Sequence, residues 1–325
     1  MKHWGKTVFL VLVVLLVCAC AAIAFAPVWL LEQTTRVYLK KNGVESRWVQ
    51  VDGYRLHYLE SPSKIAGPER PVFLIHGLGA RASDWSRMIP EFSAAGYHVY
   101  AVDLLGYGDS PKPDDGDYSL DGEERIALGF LRALHIERAD VGGWSMGGWV
   151  AMKIALNHPE MVRRLMVYDT AGLYYEIGFD QSLFSPADRA GFERLMDHLE
   201  PGKRRVSVPA FAIPAMLRRI QENRFIVEQS FQSMLHGREL LDFRLRTLQM
   251  PMLILWGTED RLIPVSVGLR LHALVPQSVF VGIKECGHLM PSECAKPAVD
   301  ATLQFLRATP PLPPSTTYVD GPSGI

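Results

Sequence analysis

Gly143-Trp144-Ser145-Met146-Gly147 sets a serine midway between two glycines. The spacing G-x-S-x-G suits a strand that turns at once into a helix. The central residue is then held in a strained backbone conformation, and the flanking positions must lack a Cβ. The serine side chain projects above the sheet edge, at a helix N-terminus where N–H groups favour negative charge. A serine hydroxyl is a weak nucleophile, so the chemistry needs a base and a group that orients the base. Asp260, closing Trp256-Gly257-Thr258-Glu259-Asp260, and His288, in Gly287-His288, answer that need, and each follows an apolar run that reads as a strand. His288 would take the Ser145 proton and return it to the leaving group. Asp260 would fix the imidazole tautomer and stabilise the imidazolium. Asp169 also follows a strand-like run and is the alternative acid.

Acyl-transfer chemistry further requires two backbone donors aimed at the developing oxyanion. One would be the N–H of Met146, directly after the nucleophile. The other would come from the turn His76-Gly77-Leu78-Gly79, through the N–H of Leu78. His76 itself reads as packing beneath that turn. Asp103, opening Asp103-Leu104-Leu105-Gly106-Tyr107-Gly108-Asp109-Ser110, reads as the clasp of a sharp loop.

The elements that must position these groups are legible as patterns. Trp48–Leu59 reads as a hairpin turning at Asp52-Gly53. Pro71–Ile75, His98–Leu104, the run ending at Gly142, Arg164–Asp169, Met250–Gly257 and Ser278–Ile283 are apolar runs suited to strands buried on both faces. Helices are expected over Ser83–Phe92, Ser119–His135, Met146–Leu156 and about Ser292–Arg307. This alternation predicts an α/β protein: a mostly parallel, eight-stranded sheet covered on both faces by helices. The rhythm breaks over residues 171–246, which read as a helical cap whose aromatics form ordinary core or line an apolar substrate tunnel. The core would occupy 48–170 and 247–308, and the Pro/Ser/Thr-rich tail 309–325 would be disordered.

The 325 residues carry a formal net charge of −1, which gives no global field for nucleic acid. Four cysteines, two of them in the N-terminal apolar run, are too few for a disulfide framework or a zinc site. A Cys286–Cys294 bridge is compatible with the spacing but not demanded by it. Val8 to Leu31 is uncharged and longer than the roughly 20 residues that cross a bilayer. Residues 1–31 therefore read as a transmembrane signal anchor. A lipoprotein signal ending at Cys20 and a cleaved signal ending near Ala22–Ala26 are the alternatives, and 32–47 would be a basic juxtamembrane linker. The expected location is a membrane, on a side that the flanking charges leave open.

From about Trp48 to Arg307 the sequence resembles the α/β-hydrolase fold superfamily. The resemblance rests on His76-Gly77-Leu78-Gly79, the Asp103–Ser110 loop, Gly143-Trp144-Ser145-Met146-Gly147-Gly148, Trp256-Gly257-x-x-Asp260 and Gly287-His288. In layout it is similar to membrane-anchored monoacylglycerol lipases. The resemblance implies a serine hydrolase with no cofactor and no metal. Relatives with an aspartate nucleophile are epoxide hydrolases or dehalogenases, against which Ser145 argues. The leading expectation is hydrolysis of carboxylic esters, with a small apolar ester or lipid monoester as substrate. A C–C bond hydrolase, a thioesterase and a perhydrolase use the same three side chains and are the alternatives. A binding protein without turnover is the reading from a different class.

Overall fold

The structure is a computed structural model and describes residues 8–9, 26–200, 208–236 and 239–322. Its strands are β1 (Glu45–Val51), β2 (Tyr54–Ser61), β3 (Pro71–Ile75), β4 (His98–Val102), β5 (Ala139–Trp144), β6 (Val162–Tyr168), β7 (Met252–Gly257), β8 (Val279–Ile283) and β9 (Ser315–Val319). The helices are α1 (Pro27–Lys41), α2 (Ile89–Ala94), α3 (Leu120–Ala133), α4 (Met146–Asn157), α5 (Arg189–Leu199), α6 (Ile213–Glu222), α7 (Arg224–Leu235), α8 (Val265–Leu274), α9 (Met290–Glu293) and α10 (Ala295–Arg307).

The strands form one sheet in the order β1-β2-β4-β3-β5-β6-β7-β8-β9. β1 and β2 are antiparallel across the Asp52-Gly53 turn, both of whose residues have positive φ, and β2 is antiparallel to β4. Every pairing from β4 through β3 to β9 is parallel. The carboxyl ends of β3, β5, β6, β7 and β8 therefore open on one rim, where groups carried by their loops converge. β5, β7 and β8 are buried along their whole length, which is why their sequences run apolar without alternation.

Two apolar layers flank the sheet. One packs α3, α4 and α8 against one face, around Phe73, Phe130, Val141, Ile154 and Trp256. The other packs α2 and α10 against the opposite face, around Trp85, Phe92, Tyr168, Leu255 and Phe305. Between β6 and β7 the chain leaves the sheet and forms the cap, built from a short turn at Gln181–Phe184 and from α5, α6 and α7.

Several expectations change. The sheet has nine strands because part of the tail expected to be disordered, Ser315–Val319, adds β9 in parallel register to β8. Its β-branched and aromatic residues satisfy the otherwise open edge of β8, and Tyr318 packs edge-on against Phe280. The helix expected over Ser83–Phe92 is two pieces, a 3₁₀ turn at Ala82–Trp85 and then α2. Pro90 lacks the N–H that a continuous helix would use, and it sits in the first turn of the second piece. α3 begins where expected, with the Ser119 hydroxyl accepting from the Gly122 N–H at 3.1 Å.

The expected linker at 32–47 is mostly helix α1, and β1 starts at Glu45. The membrane-anchored placement is corrected as well. Among the described residues no helix is long and apolar enough to cross a membrane. Most of the apolar run behind that expectation, including Cys18, Cys20 and the alternative signal ends before Ala26, lies outside the described residues. Pro27–Leu31 instead open α1, whose later turns carry Glu32, Arg36, Lys40 and Lys41.

Candidate active site

The turn from β5 into α4 holds Ser145 at φ 55°, ψ −120°. A Cβ at position 143 would lie 2.1 Å from the Gly147 carbonyl oxygen, and one at 147 would lie 2.3 Å from that of Ile75. The two glycines of the motif are therefore required by contact with neighbouring backbone, as their spacing suggests.

His288 comes from the loop after β8 and Asp260 from the loop after β7. His288 Nε2 lies 2.9 Å from Ser145 Oγ, and His288 Nδ1 lies 2.7 Å from Asp260 Oδ2. All three residues are buried. The second carboxylate oxygen of Asp260 accepts from the N–H groups of Leu262 and Ile263 at 2.8 and 2.9 Å. That cradle fixes the carboxylate and leaves Oδ2 for the imidazole. With Nδ1–H committed to Asp260, Nε2 is the free lone pair, aimed at the serine hydroxyl. The arrangement can draw a proton from Ser145 and hold the resulting imidazolium beside a fixed negative charge.

The His288 loop is tied down on three sides. Its backbone N–H donates to the Leu199 carbonyl at 2.8 Å, at the end of α5 in the cap. Its carbonyl accepts the Trp144 indole N–H at 2.7 Å. Cys286 and Cys294, on either side of it, form a disulfide. Cys286, Glu293 and Cys294 lie close enough together to suggest a metal site, but the disulfide consumes both thiolates.

Met146 is the first residue of α4, so its N–H is one of the donors that a helix cannot satisfy internally. Leu78 lies in the turn after β3, closed by the Ala80 N–H on the Gly77 carbonyl, and it lines the same cavity as Ser145. His76 is fully buried below that turn, where burial pushes its pKa down. Its Nδ1–H donates to the Gly77 carbonyl at 2.8 Å and its Nε2 accepts from the Leu104 N–H at 3.2 Å. Both ring nitrogens serve the loops.

Asp169 ends up beside the relay rather than in it. It is fully buried, its Oδ1 accepts from the Gly257 N–H at 2.7 Å, and its Oδ2 has no partner. Burial, followed by the nearby charge of Asp260, pushes its pKa well above the ordinary carboxylate range. Asp103 proves to be a clasp. Its carboxylate accepts from the Ala82 N–H at 2.6 Å and the Asp109 N–H at 2.9 Å, and it meets His57 Nδ1 at 2.6 Å. His57 Nε2 in turn meets Ser46 Oγ at 2.7 Å. This second Ser–His–Asp series lacks a strained nucleophile, since Ser46 lies exposed on the edge strand β1.

Ser145 and His288 open into a cavity of about 710 Å³ between the sheet rim and the cap, within the usual range for small-molecule sites. Most of its wall is apolar. Phe179, Phe184 and Phe231 pack on one another there, as the tunnel reading of the cap anticipates. Phe211 and Phe225, also marked in the sequence, stay half-exposed on the outside of the cap. The sequence reading missed Trp144 as a tether for His288, although the residue stands inside the motif. It also missed the polar part of the wall, where Arg81 from the loop after β3 and the pair Arg219 and Asn223 from the end of α6 come from two segments distant in sequence.

A family model described as "alpha/beta hydrolase fold" matches residues 70–293. The chain is 31% identical, over 69% of its length and 82% of the relative's, to 2-hydroxymuconate semialdehyde hydrolase of Pseudomonas sp. (strain CF600). It is 30% identical, over 80% and 90%, to 2-hydroxy-6-oxo-6-(2'-aminophenyl)hexa-2,4-dienoic acid hydrolase of Metapseudomonas resinovorans. Among solved structures it is similar to a membrane phospholipase A described as a bacterial virulence factor. The TM-score there is 0.78 at 28% identity, covering 93% of this chain and 98% of that one. The two curated relatives, each at 30% identity or more, are named for hydroxy-dienoate substrates rather than for esters. The leading expectation of an ester or monoacylglycerol hydrolase is corrected on that ground, in favour of the C–C bond alternative open to the same three side chains. With a family match spanning most of the chain and a nucleophile elbow at the carboxyl end of β5, this protein is a hydrolase belonging to the alpha/beta hydrolase fold family.

Proposed function

We propose that this chain hydrolyses the carbon–carbon bond beside the 6-oxo group of a 2-hydroxy-6-oxohexa-2,4-dienoate. Ser145 is the nucleophile, His288 the acid–base group and Asp260 its orienting partner, with the N–H groups of Leu78 and Met146 as oxyanion donors. The observation that carries the reading is the Ser145–His288–Asp260 hydrogen-bond series opening on an apolar cavity, in a chain whose curated relatives are named for such dienoates.

A 2-hydroxy-6-oxo dienoate has no ester or amide. Water can divide it only next to the ketone, and only if the departing carbon can hold the electron pair. Moving the 2-hydroxyl proton to C5 gives a 2-oxo compound conjugated with C3=C4. Ser145 Oγ then adds to C6 as His288 Nε2 takes its proton, and the two N–H groups meet the oxyanion at C6. Collapse breaks the C5–C6 bond, and its electron pair spreads through C4 and C3 to the 2-oxo group. The leaving carbon is therefore a stabilised dienolate, which is protonated to 2-hydroxypenta-2,4-dienoate. Water activated by His288 then frees the carboxylic acid from Ser145, so one water is consumed per turnover. A largely apolar wall suits the conjugated chain and a substituent on C6.

The test is a comparison of kcat/KM for the purified full chain on an aryl-bearing 2-hydroxy-6-oxohexa-2,4-dienoate, on p-nitrophenyl esters and on lysophospholipid. The reading expects the dienoate to be preferred by about two orders of magnitude or more, the equivalent of roughly 2.7 kcal/mol in transition-state binding. Ready cleavage of the esters or the lysophospholipid, with the dienoate untouched, overturns it.

A further inference from the structure

The cavity wall is largely apolar, and where two arginines line it a carboxylate of the protein itself is paired with both. Arg81, from the loop after β3, and Arg219, on the cap helix α6, both line the cavity. Glu32 of α1 pairs with both guanidinium groups: its Oε1 lies 2.7 Å from Arg81 Nη1 and 3.6 Å from Arg219 Nη2. α1 packs against α6 and is also tied to the core by an Arg36–Asp109 ion pair at 2.8 Å. One helix thus bridges core and cap by way of a carboxylate.

The cluster is not saturated. Arg219 Nε is buried with no hydrogen-bond partner. Asn223, one turn further on at the end of α6, lines the same cavity, is only 9% exposed, and has a buried Oδ1 without a partner. A half-turn of its side-chain amide presents NH₂ to the cavity instead. Such orphaned groups are costly inside a protein unless something binds them for part of the time. Asp84, which accepts from the Arg81 backbone N–H at 2.9 Å, lines the cavity beside this cluster, and Glu222 lies 3.5 Å from Arg219 Nη1; the two guanidinium forks and the amide remain a donor set matched to a planar carboxylate.

We propose that Arg81, Arg219 and Asn223 form a carboxylate subsite for an apolar monocarboxylate, and that Glu32 is its resident occupant, displaced when that ligand binds. For the ligand's chemistry the inference rests on the C–C hydrolase reading, in which the substrate carries a carboxylate on C1. Glu32 then acts as a tethered competitor. Affinity for the carboxylate is reduced by the fraction of protein in which Glu32 holds the site, and binding loosens the contact of α1 with the cap.

The probe is sorbate (hexa-2,4-dienoate), which carries the diene and the carboxylate but has no 6-oxo group to be attacked; its neutral comparator is sorbamide. Both are titrated calorimetrically into the full chain, for the wild type and for Glu32→Gln, Arg81→Met and Arg219→Met. Thermal melts establish that each variant is folded. Glu32→Gln is expected to bind sorbate about fivefold tighter or better, with no matching gain for sorbamide, because only the anion competes with Glu32. Each arginine variant is expected to bring the sorbate-to-sorbamide preference close to one. Should an arginine variant not fold, Arg→Lys replaces it, keeping the charge and losing the fork. The proposal is overturned if Glu32→Gln binds sorbate no tighter than the wild type, or if it gains equally for both ligands. Because sorbate is not turned over, a chain that fails to cleave dienoates still gives a clear answer here, and the two readings fail separately.

Discussion

The indole N–H of Trp144 donates to the carbonyl of His288 at 2.7 Å, so the residue before the proposed nucleophile, Ser145, holds the backbone of its proposed base. Nucleophile and base are thereby positioned by one local contact, not only by the sheet. Trp144→Phe keeps the ring and deletes the donor. We expect kcat to fall about tenfold, the scale of one buried hydrogen bond, with little change in KM. Steady-state kinetics check this, and a KM effect alone would make Trp144 a wall residue only.

Asp260 and Asp169 offer a sharper contrast. Asp260 meets the imidazole, whereas Asp169 accepts one hydrogen bond from the Gly257 N–H and its pKa is pushed up by burial. Asp260→Asn should lower kcat by about 10³–10⁴-fold, because the imidazole loses its fixed tautomer and its counter-charge. Asp169→Asn keeps an acceptor for Gly257 and leaves the Asp260–His288 contact intact, so activity should stay within a few-fold of wild type. The reverse pattern would move the acid to β6.

The Cys286–Cys294 disulfide closes a loop of sequence separation 8 around His288. Replacing both cysteines by Ala should cost about 2–3 kcal/mol of stability on chain-entropy grounds. It should also lower kcat by loosening the imidazole. Denaturant unfolding and kinetics on the double variant measure both effects, and a stability loss without a kinetic one would confine the bond to folding.

Glu123 on α3 is 1% exposed, and neither of its carboxylate oxygens has a partner. Burial, reinforced by the charge of Asp117, raises its pKa well above the usual range. A carboxyl whose folded pKa is raised keeps its proton in the folded state after the unfolded chain has lost it. Stability from this group therefore falls as pH climbs above about 4.3, until the folded value is reached. Glu123→Met should remove that slope and raise stability at pH 8 by about 1–3 kcal/mol. Melting temperatures of both proteins from pH 5 to 8 decide it: the gap should widen with pH, and a constant gap would mean that a packing change is being measured.

What the sequence reveals about this molecule follows from how local its causes are. Ser145 and its glycines are governed by a steric conflict within five residues, so the motif announces itself. The central strands reveal themselves because burial on both faces leaves no alternation. The edge strand β9 does not, since its five residues become a strand only against β8, and the proline-rich run before them masks the signal. The split at Pro90 was readable from the missing N–H. The polar corner was not: Glu32, Arg81 and Arg219 are brought together by the packing of α1 on the cap, which no spacing along the chain encodes.

The central claim is that the Ser145 hydroxyl, activated by His288, cleaves a carbon–carbon bond. The most direct measurement is the decay of the dienolate absorbance of an aryl-bearing 2-hydroxy-6-oxohexa-2,4-dienoate, with wild-type protein and with Ser145→Ala at equal concentration. The account predicts turnover by the wild type and a loss of about 10³-fold or more in the variant, with the product acid appearing in step with the decay. A wild-type protein no faster than buffer, or a variant as fast as the wild type, would contradict it.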